Sequence, residues 1–171
     1  LGEEIGRGLA DLHRAHGVRL LCGRGIRAIH GTGRVEAVEL DDGTRVDCEL
    51  AVVGIGVVPN TELAAEAGLC VAKGIVVDAL GRTSAPEVLA AGDCAATTCT
   101  YSRTPAVPLR LESIQAASDV AKAAASVVCC RDRPCDAVPW FWSDQYDAKF
   151  QMAGLADPAD ELVLRGDPGS G

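Results

Sequence analysis

The chain has 171 residues, 48% hydrophobic and 23% charged, with a formal net charge of −8 at pH 7. That balance is globular and argues against disorder, while the acidic surplus disfavours nucleic acid as a partner, because phosphate binding needs a basic surface. The longest apolar run, residues 50–58, contains two glycines and is too short to cross a bilayer, and the acidic start has no signal-like pattern, so a soluble, cytoplasmic protein is expected.

Residues 3–16 carry Ile5, Leu9 and Leu12 at helical spacing, with acids in front, Arg14 and His16 at the back, and Gly17 where a helix would close. Residues 18–22 read as a short strand, and residues 25–40 as two strands around Gly31-Thr-Gly33. Asp42-Gly43 then turns the chain into residues 44–47. The run 50–56 has the composition of a buried parallel strand. Asn60 or Thr61 is placed to cap a short helix ending at Gly68.

Strand pieces are expected through residues 69–93, including 74–78, followed by a loop with Pro105 and Pro108. A helix over 112–128 aligns Ile114, Ala117, Val120, Ala124 and Val128 on one face, and residues 131–134 form a linker. Beyond Pro139 come Trp140-Phe-Trp142, a polar turn at Ser143-Asp144, and strands over 149–153 and 161–164. The start reads as mid-helix and the end follows directly on a strand, which is the pattern of a piece of a longer protein.

The eight cysteines contain no Cys-x-x-Cys pair, and His13, His16 and His30 all fall within the first 30 residues, so no compact zinc pattern forms. A disulfide framework is disfavoured because the patterning is not that of a small, loop-rich secreted fold.

Four segments carry chemistry. Residues 82–94 read as a turn at Ala85-Pro86 and then a small-residue strand ending on Gly92-Asp93. Such an end puts a carboxylate at the carboxyl edge of a sheet, where open α/β folds bind ligands; Asp93 could equally be a local cap. Gly54-Ile-Gly56-Val-Val-Pro59 would let a cofactor lie against the main chain at Gly56, but a tight strand-to-helix turn needs the same residues. The Gly-x-Gly-x-x-Gly pyrophosphate fingerprint is absent from the chain. Arg110-Leu-Glu112-Ser-Ile-Gln115 opens the long helix, whose free N–H groups suit an anion or electron-rich ring edge, although Glu112 and Ser113 could simply cap it. Finally, four of the six aromatic residues (Trp140, Phe141, Trp142 and Tyr146) fall within seven positions, a concentration that suits ring stacking or docking as well as a core.

In this order the motifs resemble the oxygenase-coupled, FAD-dependent NADH:ferredoxin reductases of the rubredoxin- and putidaredoxin-reductase type, with Trp140-Phe-Trp-Ser-Asp-Gln-Tyr146 the most discriminating segment. The resemblance implies an α/β fragment of a flavoprotein with two Rossmann-like dinucleotide-binding domains, for FAD and NAD(P), and the start of a C-terminal α+β interface domain. Residues 1–68 would be the back half of the NAD domain, 69–135 the returning part of the FAD domain, and 136–171 the start of the interface domain. It also implies that Asp93 holds the flavin ribityl chain, that Ser113 and Ile114 lie against the flavin ring, that Trp142 sits beside it with Trp140 as neighbour, and that Gly56 and Glu112 contact NADH. Electrons would pass from NADH through FAD to a ferredoxin or rubredoxin. The flavin does the chemistry, so no catalytic side chain and no metal is expected.

Two alternatives stand beside this reading: a disulfide reductase or NADH oxidase of the same superfold, and a non-catalytic piece acting as an interaction module. Arg103, Arg110, Lys122, Arg131 and Arg133 outnumber the acids of residues 100–135, a local balance that could steer an acidic ferredoxin or be no more than a solvated face.

Overall fold

A computed structural model describes residues 2–166, in two compact units, Leu1–Val57 and Val58–Gly171. The expectations that reach into residues 167–171 lie outside the described residues. No described helix is long and apolar enough to cross a membrane.

The first unit opens with helix α1 (Glu3–Ala15), with Glu3 and Glu4 in its first turn and His13 and Arg14 in its last, so its end charges oppose the helix dipole. It closes as expected at Gly17, whose φ of 79° lets the Gly17 N–H reach the Arg14 carbonyl (2.9 Å) and the Val18 N–H reach that of His13 (3.0 Å). Strands β1 (Ile26–His30), β2 (Ala37–Leu40) and β3 (Arg45–Asp47) form an antiparallel meander, with Ala37 and Leu40 of the central strand as its buried residues. Gly31 is indispensable to the first turn: its φ is 151°, and an added Cβ would stand 1.8 Å from the Arg34 carbonyl oxygen.

Two expected strands do not form here. Residues 18–22 form no strand. Residues 50–58 likewise form no strand, and Leu50, Val52, Ile55 and Val58 are 78–89% exposed. A run this apolar becomes a buried parallel strand only when strands flank it on both sides, and the meander, already closed by its own hairpins, supplies none.

The second unit begins with α2 (Glu62–Glu66), whose N-cap is Thr61 and which closes at Gly68, φ 75°. Strands β4 (Ile75–Val77) and β5 (Ala95–Thr97) pair in parallel, Ile75 opposite Ala95. The small-residue strand expected before Gly92-Asp93 is reduced to one antiparallel bridge, Arg82 to Leu89, so Asp93 lies in the turn that enters β5 and not at the end of a paired strand. Alanines without a neighbouring strand gain little by extending, and the paired stretch moves to residues 95–97, where β4 is available.

Helix α3 (Ile114–Val128) buries Val120, Ala123 and Ala124. It packs close because Gly81 has no side chain; a Cβ there would lie 3.1 Å from the Ala124 methyl. The helix ends in the same closing motif as α1, but with Cys130 at the left-handed position, φ 52°. Its continuation is tied to the turn after β4 through the Cys135 N–H and the Ala79 carbonyl, 2.7 Å apart.

A hairpin of β6 (Trp140–Gln145) and β7 (Ala148–Ala153) follows. The turn expected at Ser143-Asp144 is instead strand. Ser143 faces Phe150 and Asp144 faces Lys149 across the ladder, and the reversal falls at Tyr146, φ 57°. Residues 161–164 form no strand either. A two-stranded hairpin has solvated faces that tolerate polar residues, while the Leu162-Val-Leu164 run has no partner strand to pair with among the described residues.

Candidate functional site

The entry turn of β5, the amino end of α3 and the start of β6 enclose an open cleft of about 420 Å³, lined by Asp93, Glu112, Ser113, Ile114, Ala117, Phe141 and Trp142. Five of the six residues expected to bind cofactor therefore share one wall system, although they come from three distant stretches of sequence. The sixth, Gly56, is carried by the first unit, where its φ is 86° and nothing stands within 4 Å of an added Cβ.

Each wall has a local cause. Gly92 (φ 82°) makes the turn in which its carbonyl accepts from the Ala95 N–H at 3.0 Å, and this leaves Asp93 at the apex. The Asp93 carboxylate accepts no hydrogen bond among the described residues, so its oxygens are available to hydroxyl donors of a ligand. Ser113 is the N-cap of α3: its Oγ accepts from the Ala116 N–H at 3.1 Å. The oxygen is thus engaged by the helix and the Ser113 N–H donates to the Leu111 carbonyl (3.1 Å), which leaves the hydroxyl proton and the Cβ for a ligand. Ile114, 71% exposed, opens the first helical turn as an uncovered apolar surface.

Trp142 supplies the aromatic side. Trp140 and Trp142, two apart on β6 and hence on one face, stack with ring centroids 5.0 Å apart and planes 24° from parallel. Trp142 remains 42% exposed. An exposed isoleucine and a braced indole flank a cleft that also contains a free carboxylate and the positive end of a 15-residue helix. These residues fit FAD: apolar surface for a planar ring, and a carboxylate for the hydroxyls of its ribityl chain.

The sequence reading missed the part played by Arg110, which it counted only as a positive charge at the helix opening. Its guanidinium donates from Nη1 to the Asp93 carbonyl oxygen (3.1 Å) and lies 2.7 Å, through Nη2, from the Glu112 carboxylate. The side chain is 15% exposed. It passes over Gly74, where an added Cβ would be 3.1 Å from Arg110 Cδ and 2.7 Å from the Cys94 carbonyl oxygen. No periodicity marks such a residue, because these two partners are a main-chain oxygen 17 residues back and a neighbour two residues on.

The other expected cations are largely committed. Arg103 pairs with Asp160 and Asp157, and Lys122 with Asp119 at 3.0 Å. Arg131 and Arg133 form no ion pair among the described residues and line an open groove of about 550 Å³ past the carboxyl end of α3.

The fold class is that of flavoprotein reductases with two dinucleotide-binding domains, as comparison with solved structures shows. The ferredoxin reductase for the CYP199A2 system from Rhodopseudomonas palustris superposes with a TM-score of 0.90 at 41% identity, over 98% of this chain and 41% of that one. The covalent putidaredoxin reductase–putidaredoxin complex also superposes at 0.90, with 35% identity, over 98% of this chain and 40% of that one. Residues 1–121 match the family model described as pyridine nucleotide-disulphide oxidoreductase, so the chain belongs to that family, and residues 140–171 match the reductase C-terminal model. Among curated proteins it is 40% identical to a ferredoxin–NAD(P)(+) reductase of Sphingomonas sp, over 99% of this chain and 41% of that protein. It is 39% identical to putidaredoxin reductase of Pseudomonas putida, over 91% of this chain and 37% of that protein. The chain spans about two fifths of the length of these relatives.

Proposed function

We propose that this chain is part of an FAD-dependent oxidoreductase that takes electrons from NADH and passes them to a small iron–sulfur protein of the ferredoxin type or to rubredoxin. The observation that carries the reading is the convergence of Asp93, Ser113, Ile114 and Trp142 on one cleft that suits a flavin. The likeness to ferredoxin reductases over nearly the whole chain supports it. In this reading residues 1–68 belong to the NAD domain, 69–135 to the FAD domain and 136–171 to the interface domain. A cytoplasmic location goes with it, because a diffusible nucleotide and a small carrier protein would meet there.

The chain's residues position and shield. Asp93 would accept hydrogen bonds from ribityl hydroxyls. Ser113 and Ile114 present the first turn of α3 to the ring, so the helix dipole favours negative charge appearing there. Trp142, braced by Trp140, covers the ring edge and excludes water. Gly56 and Glu112 are assigned to the nicotinamide nucleotide. Bound FAD would supply the two-electron acceptor that releases electrons singly; no side chain is required to move a proton.

The test is the visible spectrum of the protein expressed from the complete gene. Flavin absorption that bleaches on adding NADH and returns as ferredoxin is reduced is the expected result. A colourless protein indifferent to NADH would overturn the reading.

A further inference from the structure

We propose that Arg110 is a positioning residue that sets the aperture of the cleft by clamping Asp93 to the amino end of α3. The inference rests on the flavin reading above. Asp93 and Ser113 belong to separate segments, and helix packing alone does not fix the gap between a turn apex and a helix cap. Arg110 fixes it with both arms of one planar group: Nη1 on the main-chain carbonyl of Asp93 itself, Nη2 on the carboxylate of Glu112, the residue before the N-cap. The antiparallel bridge of Leu109 to Thr97, with hydrogen bonds of 2.8 and 3.0 Å, delivers the next residue, Arg110, to the flank of β5. Gly74 then gives the side chain room to lie flat, since any Cβ there would press on Arg110 Cδ.

The clamp requires arginine. A guanidinium reaches two acceptors in fixed directions, whereas an ammonium is a point charge that can satisfy one of these two and leave the other. The same pair also screens Glu112: its carboxylate stands beside the cleft but is held to Arg110, which limits the repulsion it would exert on phosphate-bearing ligands. The predicted consequence is that Arg110 controls flavin affinity and the electronic environment of the bound ring without touching the ring.

The test compares wild type and Arg110→Lys in the holoprotein expressed from the complete gene, measuring FAD affinity after flavin removal and the visible circular dichroism of the bound flavin. Arg110→Lys should retain the far-ultraviolet spectrum, weaken FAD about tenfold, as for loss of one charge-assisted hydrogen bond, and change the flavin dichroism. If Arg110→Lys does not fold, Glu112→Gln, which keeps the side-chain size but weakens one arm, should give a smaller loss and a change of the same sign. A folded Arg110→Lys protein with wild-type affinity and dichroism overturns the clamp alone. A wild-type protein that binds no FAD overturns the flavin reading and the clamp with it.

Discussion

At the level of single residues, the cleft separates side chains that are free to bind from those already engaged. The Asp93 carboxylate is free, whereas the Ser113 oxygen is engaged as the cap of α3. Two substitutions should therefore behave differently. Asp93→Ala should cost at least tenfold in FAD affinity with little change in melting temperature, since removing an exposed carboxylate at a turn apex disturbs no internal hydrogen bond. Ser113→Ala should lower stability by about 1 kcal/mol, the usual cost of losing an N-cap, with a smaller effect on affinity; chemical denaturation and flavin titration distinguish the two. The aromatic cluster that puts Trp142 and Phe141 on the cleft was visible in the sequence, because aromatic residues are rare here and four of the six fall together. Arg110 was not, because a side chain bonded to a main-chain oxygen leaves no pattern.

Charge at this scale also has a pH signature. Glu39 is held below the ordinary carboxylate range, first by its hydrogen bond with His30 (2.7 Å) and also by Arg27 and Arg45. A carboxyl depressed in the folded state contributes stability above its unfolded value of about 4.3, and that contribution is lost as pH falls through the lower folded value. Glu39→Gln should therefore lower the first unit's stability at neutral pH and flatten its acid limb, the difference from wild type vanishing below the folded value. Asp160 is lowered in the same way, chiefly by its hydrogen bond from Arg103, so Arg103→Ala should raise the Asp160 titration midpoint followed by NMR.

At the level of elements, the readings that succeeded were those with a local cause. Helices α1, α2 and α3 end where a left-handed residue permits, and the β1–β2–β3 meander follows Gly31 and Asp42-Gly43. The failures share a non-local cause. Whether residues 50–58 or 87–91 become strands depends on which strands lie beside them, and composition does not record that. Gly31→Ala tests the local class: with 1.8 Å between the new Cβ and the Arg34 oxygen, the first turn should fail and the unit should lose protection in amide exchange. Arg131 and Arg133 follow a helix about 22 Å long, so they lie at the opposite end of α3 from the cleft. Their contribution to a ferredoxin partner would be long-range steering, and Arg131→Glu with Arg133→Glu should slow association at low salt and have no effect at high salt.

For the molecule as a whole, the exposed apolar run 50–58 dominates behaviour in solution. Among residues 51–58 there is no charge and no proline, and Val52, Ile55 and Val58 are 86–89% exposed, which makes the run an apolar surface suited to self-association. The 171-residue chain alone should self-associate, and Val52→Lys with Ile55→Lys should restore a single species in sedimentation. The family and its cofactors were legible from motif order. What the motifs could not convey is how the walls are held, since that depends on Gly74, Arg110 and the packing of α3 on Gly81.

The three-walled cleft also imposes an order in time. Its first wall is at Asp93 and its last at Trp142, so a nascent chain must lengthen by 49 residues after the first wall leaves the ribosome before the last one follows. At typical synthesis rates that interval is roughly 2 to 10 s. A cofactor needing all three walls cannot be retained during it. Loading of such a cofactor would therefore be a late event, and the exposed turn at Asp93 would wait for the tryptophan hairpin.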